Sequence, residues 1–275
     1  MSDVERGHFE VPGASLSYEI RGSGPAVLFV VGGNGDARIY SRVAAALANR
    51  FRTIAYTRRG FANSPLTQGY EGARRIEEDA HDAARMIDGL AGGKAHVFGS
   101  SSGAIVALDL LQRHAAKVET VVAHEPPIAS ILPDPQTHFA LFEDILALYR
   151  KSGAKVAMPV FLEQMGMGRP TGLPPGVEPG KNTEGLTDNE YWFEHELAQY
   201  PHFQPNFATL GRLAKHLVLA GGRASREQFA YQPNKVLAER LGKDIVEFPG
   251  GHVGYATDPQ AFADELAPLF VPVES

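Results

Sequence analysis

The sequence contains no cysteine among its 275 residues, so it can form neither a disulfide nor a thiolate metal site. No apolar run approaches the ~18 residues that a membrane-spanning helix requires. The first residues, MSDVER, lack the basic and apolar regions of a secretory signal peptide. We therefore expect a protein that works in the cytoplasm, with no membrane partner.

Blocks of basic residues are also missing. The formal net charge is −6, and this balance argues against nucleic acid or an anionic membrane as a partner. Hydrophobic residues make up 44 % of the chain and charged residues 21 %, which is typical of a globular protein. A chain of this length can bury a substantial core without covalent cross-links.

Strand-like and helix-like segments alternate along most of the chain, which predicts an α/β fold with a mostly parallel sheet flanked by helices. Strands are expected at residues 7–11, 15–21, 26–31, 51–56, 95–98, 118–123, 216–220 and 244–248. Helices are expected at residues 38–49, 74–90, 104–113, 139–151, 234–241 and 260–270.

The alternation stops after the predicted sixth strand. Residues 128–207 contain no obvious strand but include a helical segment, a Gly- and Pro-rich stretch at 166–185, and aromatic clusters. We therefore expect one α/β core domain, residues 1–127 and 208–275. A mainly helical cap, residues 128–207, is inserted into it.

The motif GSSSG at residues 99–103 lies between a predicted strand and a predicted helix. In this context, G-x-S-x-G is typical of a sharp turn that exposes its central serine as a nucleophile. Glycines suit such a turn because a Cβ would clash with the crowded backbone. Ser101 is thus the predicted nucleophile.

A serine hydroxyl needs a base to attack at neutral pH. His252 follows the last predicted strand in FPGGHV, where loops at the carboxyl ends of parallel strands meet. We predict that it is the base, although a surface histidine is the simpler alternative. Glu125, directly after the sixth strand, is the preferred acid to orient the imidazole. Glu227 stays open as an alternative.

Ester hydrolysis also needs hydrogen-bond donors for the developing oxyanion. We expect one from the backbone N–H of Ser102, which follows the nucleophile. The second is expected from Gly33 or Asn34, in the Gly-rich loop after strand 26–31. This loop lacks the Gly-Lys-[Ser/Thr] of a phosphate-binding loop.

Apolar side chains in the predicted cap indicate a fairly hydrophobic substrate. The candidate substrate-binding residues are Met158, Phe161, Trp192 and Phe193. Simple packing of the cap onto the core is the alternative for these side chains.

Together these segments resemble the α/β-hydrolase superfamily. The resemblance rests on GGNG at 32–35, YTRRGFANS at 56–64, the motif at 99–103 and the order Ser, acid, His. Two positions depart from the family pattern. Thr57 stands where the family usually has Asp, and Ala224 stands where it usually has the triad acid.

The motif pattern is most similar to hydrolases of the zearalenone-lactonase type, which share a Ser-Ser-Gly elbow and a His-Glu-x-Pro segment, here HEPP at 124–127. In that group the glutamate serves as the triad acid, which implies this role for Glu125. A cap tryptophan helps to line the pocket there, which implies the same for Trp192.

We therefore expect a serine hydrolase that cleaves a carboxylic ester or lactone through an acyl-serine, with no cofactor and no metal. Haloperoxidase-like chemistry and carbon–carbon bond hydrolysis use the same triad and stay open, as does a non-catalytic receptor on this scaffold. The expected partner is a small-molecule substrate, and a homodimer is compatible with the sequence.

Overall fold

The computed structural model describes residues 4–33, 35–67, 72, 74–167 and 181–270. Within these residues one eight-stranded sheet has the order β1-β2-β4-β3-β5-β6-β7-β8. The β1-β2 and β2-β4 pairs are antiparallel, and the other neighbours are parallel. The mostly parallel sheet that the sequence predicts is therefore confirmed.

The strands lie close to their predicted positions. They are β1 (Val4–Val11), β2 (Ala14–Arg21), β3 (Ala26–Val30), β4 (Arg52–Tyr56), β5 (Ala95–Ser100), β6 (Val118–His124), β7 (Leu217–Gly222) and β8 (Ile245–Phe248). β5 and β6 extend further than expected because Gly99 and Ser100 pair with Ala123 and His124. The parallel ladder thus reaches the residues on which the catalytic motifs begin.

The described helices are α1 (Ser41–Leu47), α2 (Arg75–Leu90), α3 (Ser102–Arg113), α4 (Pro135–Ser152), α5 (Ala154–Gln164), α6 (Asp188–His195), α7 (Phe207–Arg212), α8 (Gln232–Leu241), α9 (Gly254–Thr257) and α10 (Pro259–Leu266). The helix expected at 38–49 instead begins with a 3₁₀ turn, Ala37–Tyr40, which is capped by the Asp36 side chain as it accepts the N–H of Arg38 at 2.9 Å. Similarly, the helix expected at 260–270 ends in a 3₁₀ turn.

The central strands are buried on both faces. In β3, Leu28 and Val30 face the apolar cluster that includes α2 and α3, whereas Val27 and Phe29 face the cluster that includes α1 and α10. All four side chains are fully buried. This two-sided burial explains why the strand is a continuous apolar run rather than an alternating one.

Helices α4, α5 and α6 lie between β6 and β7 in the chain and form a third apolar cluster, which includes Phe61 of the loop after β4. We call residues 128–207 the insertion. Helix α7 begins at the last residue of the insertion and contacts α3 and α8. None of the described helices is both long enough and apolar enough to cross a membrane.

Candidate active site

Ser101 lies in the sharp turn between β5 and α3. Its φ of 58° and ψ of −131° are strained for a residue with a side chain. Its N–H donates to the carbonyl of His124 at 2.9 Å, and its carbonyl accepts the N–H of Ala104 at 2.9 Å. Bonds to β6 and to α3 therefore hold the serine in its strained conformation.

The flanking glycines allow this turn to pack tightly. A Cβ on Gly99 would lie 2.3 Å from the carbonyl oxygen of Gly103, and a Cβ on Gly103 would lie 2.1 Å from that of Val30. Both distances are far below van der Waals contact, and the obstructing atoms belong to the backbone. Glycine is thus required on both sides of the serine.

Glu125 holds the imidazole of His252. The Nδ1 of His252 lies 2.5 Å from Oε2 of the carboxylate. The other oxygen, Oε1, accepts the N–H of Gly222 at 2.7 Å and the hydroxyl of Ser225. Because Nδ1 donates to the carboxylate, Nε2 is the nitrogen left to accept a proton.

Burial disfavours the ionised form of Glu125, whereas the groups that contact this carboxylate favour the ionised form. Burial alone would raise the pKa of Glu125, yet the neighbouring His124 and the hydrogen bonds from His252 and Ser225 lower the pKa to about 2. Burial lowers the pKa of His124 to about 4, and its Nδ1 lies 3.0 Å from the hydroxyl of Ser100. At neutral pH the site thus contains a carboxylate beside a neutral His124.

The chain places Glu125 beside the histidine loop through an unusual backbone conformation. Glu125 has a left-handed φ of 50°, and its N–H donates to Ala220 of β7 at 3.0 Å. Ala224, at the usual acid position, is exposed and donates its N–H to Gly250 at 2.9 Å. Glu227 is also exposed. Of the carboxylates considered from the sequence, the structure brings Glu125 to His252.

A cavity of about 450 Å³ brings the predicted site residues together. Ser101, His252, Gly33 and Ser102 all line it. No direct hydrogen bond joins the described side chains of Ser101 and His252, and such bonds often tighten only when substrate binds. Asn34, the alternative oxyanion donor, lies outside the described residues.

Comparison with known proteins identifies the family to which this fold belongs. Residues 27–265 match the model of the "Alpha/beta hydrolase family". The chain belongs to the α/β-hydrolase family. It is 34 % identical over 269 residues to the uncharacterized hydrolase YraK of Bacillus subtilis (strain 168), with 96 % of this chain and 95 % of that protein covered.

Solved structures support the fold of this α/β-hydrolase. An alpha/beta hydrolase from Sphaerobacter thermophilus DSM 20745 superposes with a TM-score of 0.65 and 24 % identity, covering 94 % of this chain and 98 % of that one. The enol-lactonase from Burkholderia xenovorans LB400 superposes with a TM-score of 0.66 and 19 % identity, covering 96 % and 99 %. At these identities the likeness concerns the fold alone.

The insertion forms the apolar wall of the hydrolase cavity. The candidate residues Met158, Phe161 and Trp192 line it, and the indole of Trp192 packs edge to face on Phe161 at 4.7 Å. Phe193 does not line it but stacks on Tyr149 of α4 at 4.6 Å, which corrects its prediction as a substrate-binding residue. The reason is helical geometry, because consecutive residues of α6 project about 100° apart.

Arg58 supports the Gly-rich loop after β3, a role that the motifs did not indicate. This fully buried guanidinium donates from Nη2 to the carbonyl of Gly32 at 2.8 Å. It also forms a bidentate pair with Glu196 of the insertion, at 2.5 and 2.9 Å, and bonds Asp79 of α2 at 2.7 Å. Two adjacent arginines after a buried strand are the one available sequence signal, and they do not identify these partners.

Proposed function

We propose that this α/β-hydrolase is a serine hydrolase that cleaves a carboxylic ester or lactone of a fairly hydrophobic small molecule. The observation that carries the proposal is the hydrogen bond from His252 to the buried Glu125, at the wall of a cavity that Ser101 also lines. A histidine oriented in this way can deprotonate a nearby hydroxyl.

The proposed reaction has two stages. Nε2 of His252 takes the hydroxyl proton of Ser101 while Oγ attacks the carbonyl carbon, and the oxyanion accepts hydrogen bonds from backbone N–H groups of Ser102 and of Gly33 or Asn34. The C–O bond then breaks, and the leaving alcohol takes the proton from His252. In the second stage His252 deprotonates water as its oxygen attacks the acyl carbon. The bond from that carbon to Oγ then breaks, His252 returns the proton to Ser101, and the acid is released.

The apolar wall supports a hydrophobic substrate. The cavity is within the size range of small-molecule sites, and large apolar side chains of the insertion face the catalytic serine. The resemblance to zearalenone-lactonase-type hydrolases favours a lactone within this class. We propose that residues 128–207 act as the cap that supplies this wall, with residues 1–127 and 208–275 as the catalytic core.

Labelling with a fluorophosphonate tests the proposal. We expect one adduct per chain on Ser101, located by peptide mass spectrometry, and none in Ser101→Ala. Glu125→Gln should react more slowly because its amide cannot stabilise the imidazolium. If folded wild-type protein forms no adduct, the serine mechanism is wrong; if Ser101 is labelled but no ester or lactone is hydrolysed, the substrate class is wrong.

A further inference from the structure

We propose that His124 is a positioning residue that keeps the nucleophile Ser101 and the acid Glu125 in fixed relative positions. It acts through a hydrogen bond to Ser100 and does not touch substrate. This inference rests on the proposed function and adds to it a buried polar pair, Ser100 and His124, on which the reactivity of the serine depends.

The two members of the pair directly precede the nucleophile and the acid in the chain. Ser100 is the last residue of β5, His124 is the last residue of β6, and the two lie opposite each other in the parallel ladder. Oγ of Ser100 and Nδ1 of His124 are hydrogen-bonded at 3.0 Å, and both side chains are fully buried. One side-chain bond thus joins the two strands at the point where each turns into the site.

The residues that follow the pair are both strained. Ser101 has a left-handed φ of 58° and Glu125 a left-handed φ of 50°. A residue with a side chain keeps such a conformation only where its surroundings impose it. The main chain supplies one constraint, because the N–H of Ser101 donates to the carbonyl of His124 at 2.9 Å. The bond between Ser100 and His124 supplies a second constraint between the same two strand ends.

The surroundings of the His124 ring would suit an apolar side chain. The rings of Phe98, Phe248 and Phe262 have centroids 6.0, 6.1 and 5.7 Å from its own. Its Nε2 is buried and has no hydrogen-bond partner among the described residues. Burial of a polar ring with one unpaired nitrogen opposes folding, so packing alone would favour leucine here. The bond to Ser100 is what an apolar residue could not provide.

The segment that carries the catalytic base also contacts the His124 ring. The ring centroids of His252 and Tyr255 lie 6.3 and 6.2 Å from that of His124. The imidazole therefore lies where the segments of the nucleophile, the acid and the base meet. Neither Ser100 nor His124 lines the cavity, so the pair acts by positioning rather than by contact with substrate.

Labelling rates and melting temperatures together distinguish positioning from a purely structural role. Ser100→Ala leaves both nitrogens of His124 unpaired, whereas Ser100→Ala/His124→Leu removes every polar side-chain atom of the pair. The double variant should therefore melt at a higher temperature than Ser100→Ala. In both variants Ser101 should nevertheless react with the fluorophosphonate about 10- to 100-fold more slowly than in the wild type, through a lower kinact rather than a higher KI.

His124→Asn tests the bond in the opposite direction. Its amide keeps a polar atom beside Cγ, where Nδ1 of the imidazole lies, but the smaller side chain leaves a cavity. We expect His124→Asn to melt at a lower temperature than His124→Leu and yet to be labelled faster.

His96→Leu is the matched control, because it makes the same substitution at a second buried histidine of β5. His96 packs on the ring of Phe270 at 5.0 Å, has an unpaired Nδ1 and does not line the cavity. This variant should be labelled at the wild-type rate.

Two results would overturn the inference while labelling of wild-type Ser101 stands. One is labelling of the double variant at the wild-type rate, and the other is a labelling rate that rises and falls with the melting temperature across the variants. If the double variant does not fold, wild-type labelling of folded Ser100→Ala rejects the role of the pair, and slow labelling supports it. Absence of labelling in the folded wild type would instead reject the serine mechanism, and this inference with it.

Discussion

At the scale of single residues, Ser225 supports the carboxylate that orients His252. Its hydroxyl and the N–H of Gly222 both donate to Oε1 of Glu125, which leaves Oε2 for the imidazole. Donors on one oxygen stabilise the charged carboxylate and restrict its rotation. Ser225 is therefore a positioning residue rather than one that touches substrate.

Replacing Ser225 by Ala should lower kcat about tenfold, since a hydrogen bond to a charged group contributes ~1.5 kcal/mol or more. Ser225→Thr keeps the hydroxyl and should recover most of the loss. Steady-state kinetics on one ester, with a melting curve for each variant, would test this. Equal losses in Ala and Thr variants would indicate a packing role instead.

The identity of the acid that orients His252 can be tested by comparing variants of two glutamates. Glu125→Ala should reduce kcat by orders of magnitude, because it removes the group that orients His252 and stabilises its charged form. Glu227→Ala should change kcat little, since Glu227 is exposed. The measurement is kcat for both variants on one substrate, and the reverse ranking would reject Glu125 as the acid.

Sequence reasoning reaches some of these residues and misses others for a physical reason. Ser101, Glu125 and His252 each follow a strand end in a recognisable local motif, so their meeting at one sheet edge could be predicted. Ser225 lies in a turn with no motif. Its role depends on its contact with Glu125, 100 positions away, which only the folded chain defines.

At the scale of elements, the loop after β4 is where the insertion and the core meet. Arg58 in this loop joins the carbonyl of Gly32 to Glu196, which directly follows α6. Arg75 of α2 donates to the hydroxyl of Tyr191 in α6 at 2.8 Å. The Gly-rich loop after β3 is thus bonded to an ion-pair network that is shared with the insertion.

Glu196→Gln should weaken this network. It removes one charge from a fully buried set, and breaking a buried pair costs about 3–5 kcal/mol because the remaining charge is left uncompensated. We expect lower stability in urea and a lower kcat at temperatures where the variant is folded. Glu194→Gln, an exposed position in α6, is the control. Its amide oxygen can still accept the hydroxyl of Tyr149, so it should change stability much less.

The outcome also separates two roles of the network. A stability loss with an unchanged kcat in folded Glu196→Gln would mean that the network only attaches the insertion to the core. A fall in kcat larger than any change in KM would instead support a role in positioning the Gly-rich loop after β3, because the oxyanion donor proposed there would act on the transition state.

Predictability also differs among the elements. Apolar strands buried on both faces, such as β3, have a pattern that single-sequence reasoning recognises, and it predicts their ends to within a few residues. The Arg58–Glu196 pair joins residues 138 positions apart, and no local pattern encodes that contact. Likewise, the direction of Phe193 depends on how α6 rotates against α4.

At the scale of the whole molecule, a buried carboxyl group at the contact between the insertion and the core makes stability depend on pH. Asp188, the first residue of α6, accepts the N–H of Ala62 in the loop after β4 at 2.9 Å. Burial raises the pKa of Asp188 to about 7, the charge of Asp36 adds to this increase, and Arg38 opposes it. The folded state therefore prefers the protonated acid.

The sign of the effect follows from proton binding. Below pH ~4 both folded and unfolded chains hold the proton, whereas between about 4 and 7 only the folded chain does. The contribution of Asp188 to stability thus falls as pH rises through this interval and is constant above it. Glu125, whose pKa is lowered to about 2, contributes the opposite slope below pH ~4.5, and His124, whose pKa is lowered to about 4, contributes the opposite slope between about 4 and 6.5.

Asp188→Asn isolates this contribution because the amide oxygen can still accept the N–H of Ala62, while the charge is removed. The free energy of unfolding should exceed that of the wild type at pH 8 by on the order of 2 kcal/mol, and the difference should shrink as pH falls towards 4. Urea denaturation at several pH values gives the difference curve, in which the opposing slopes of the other groups cancel.

Asp144→Asn, which removes an exposed charge on α4, is the control. A pH-independent difference for Asp188→Asn would show that this carboxyl group does not connect protonation to the docking of the insertion.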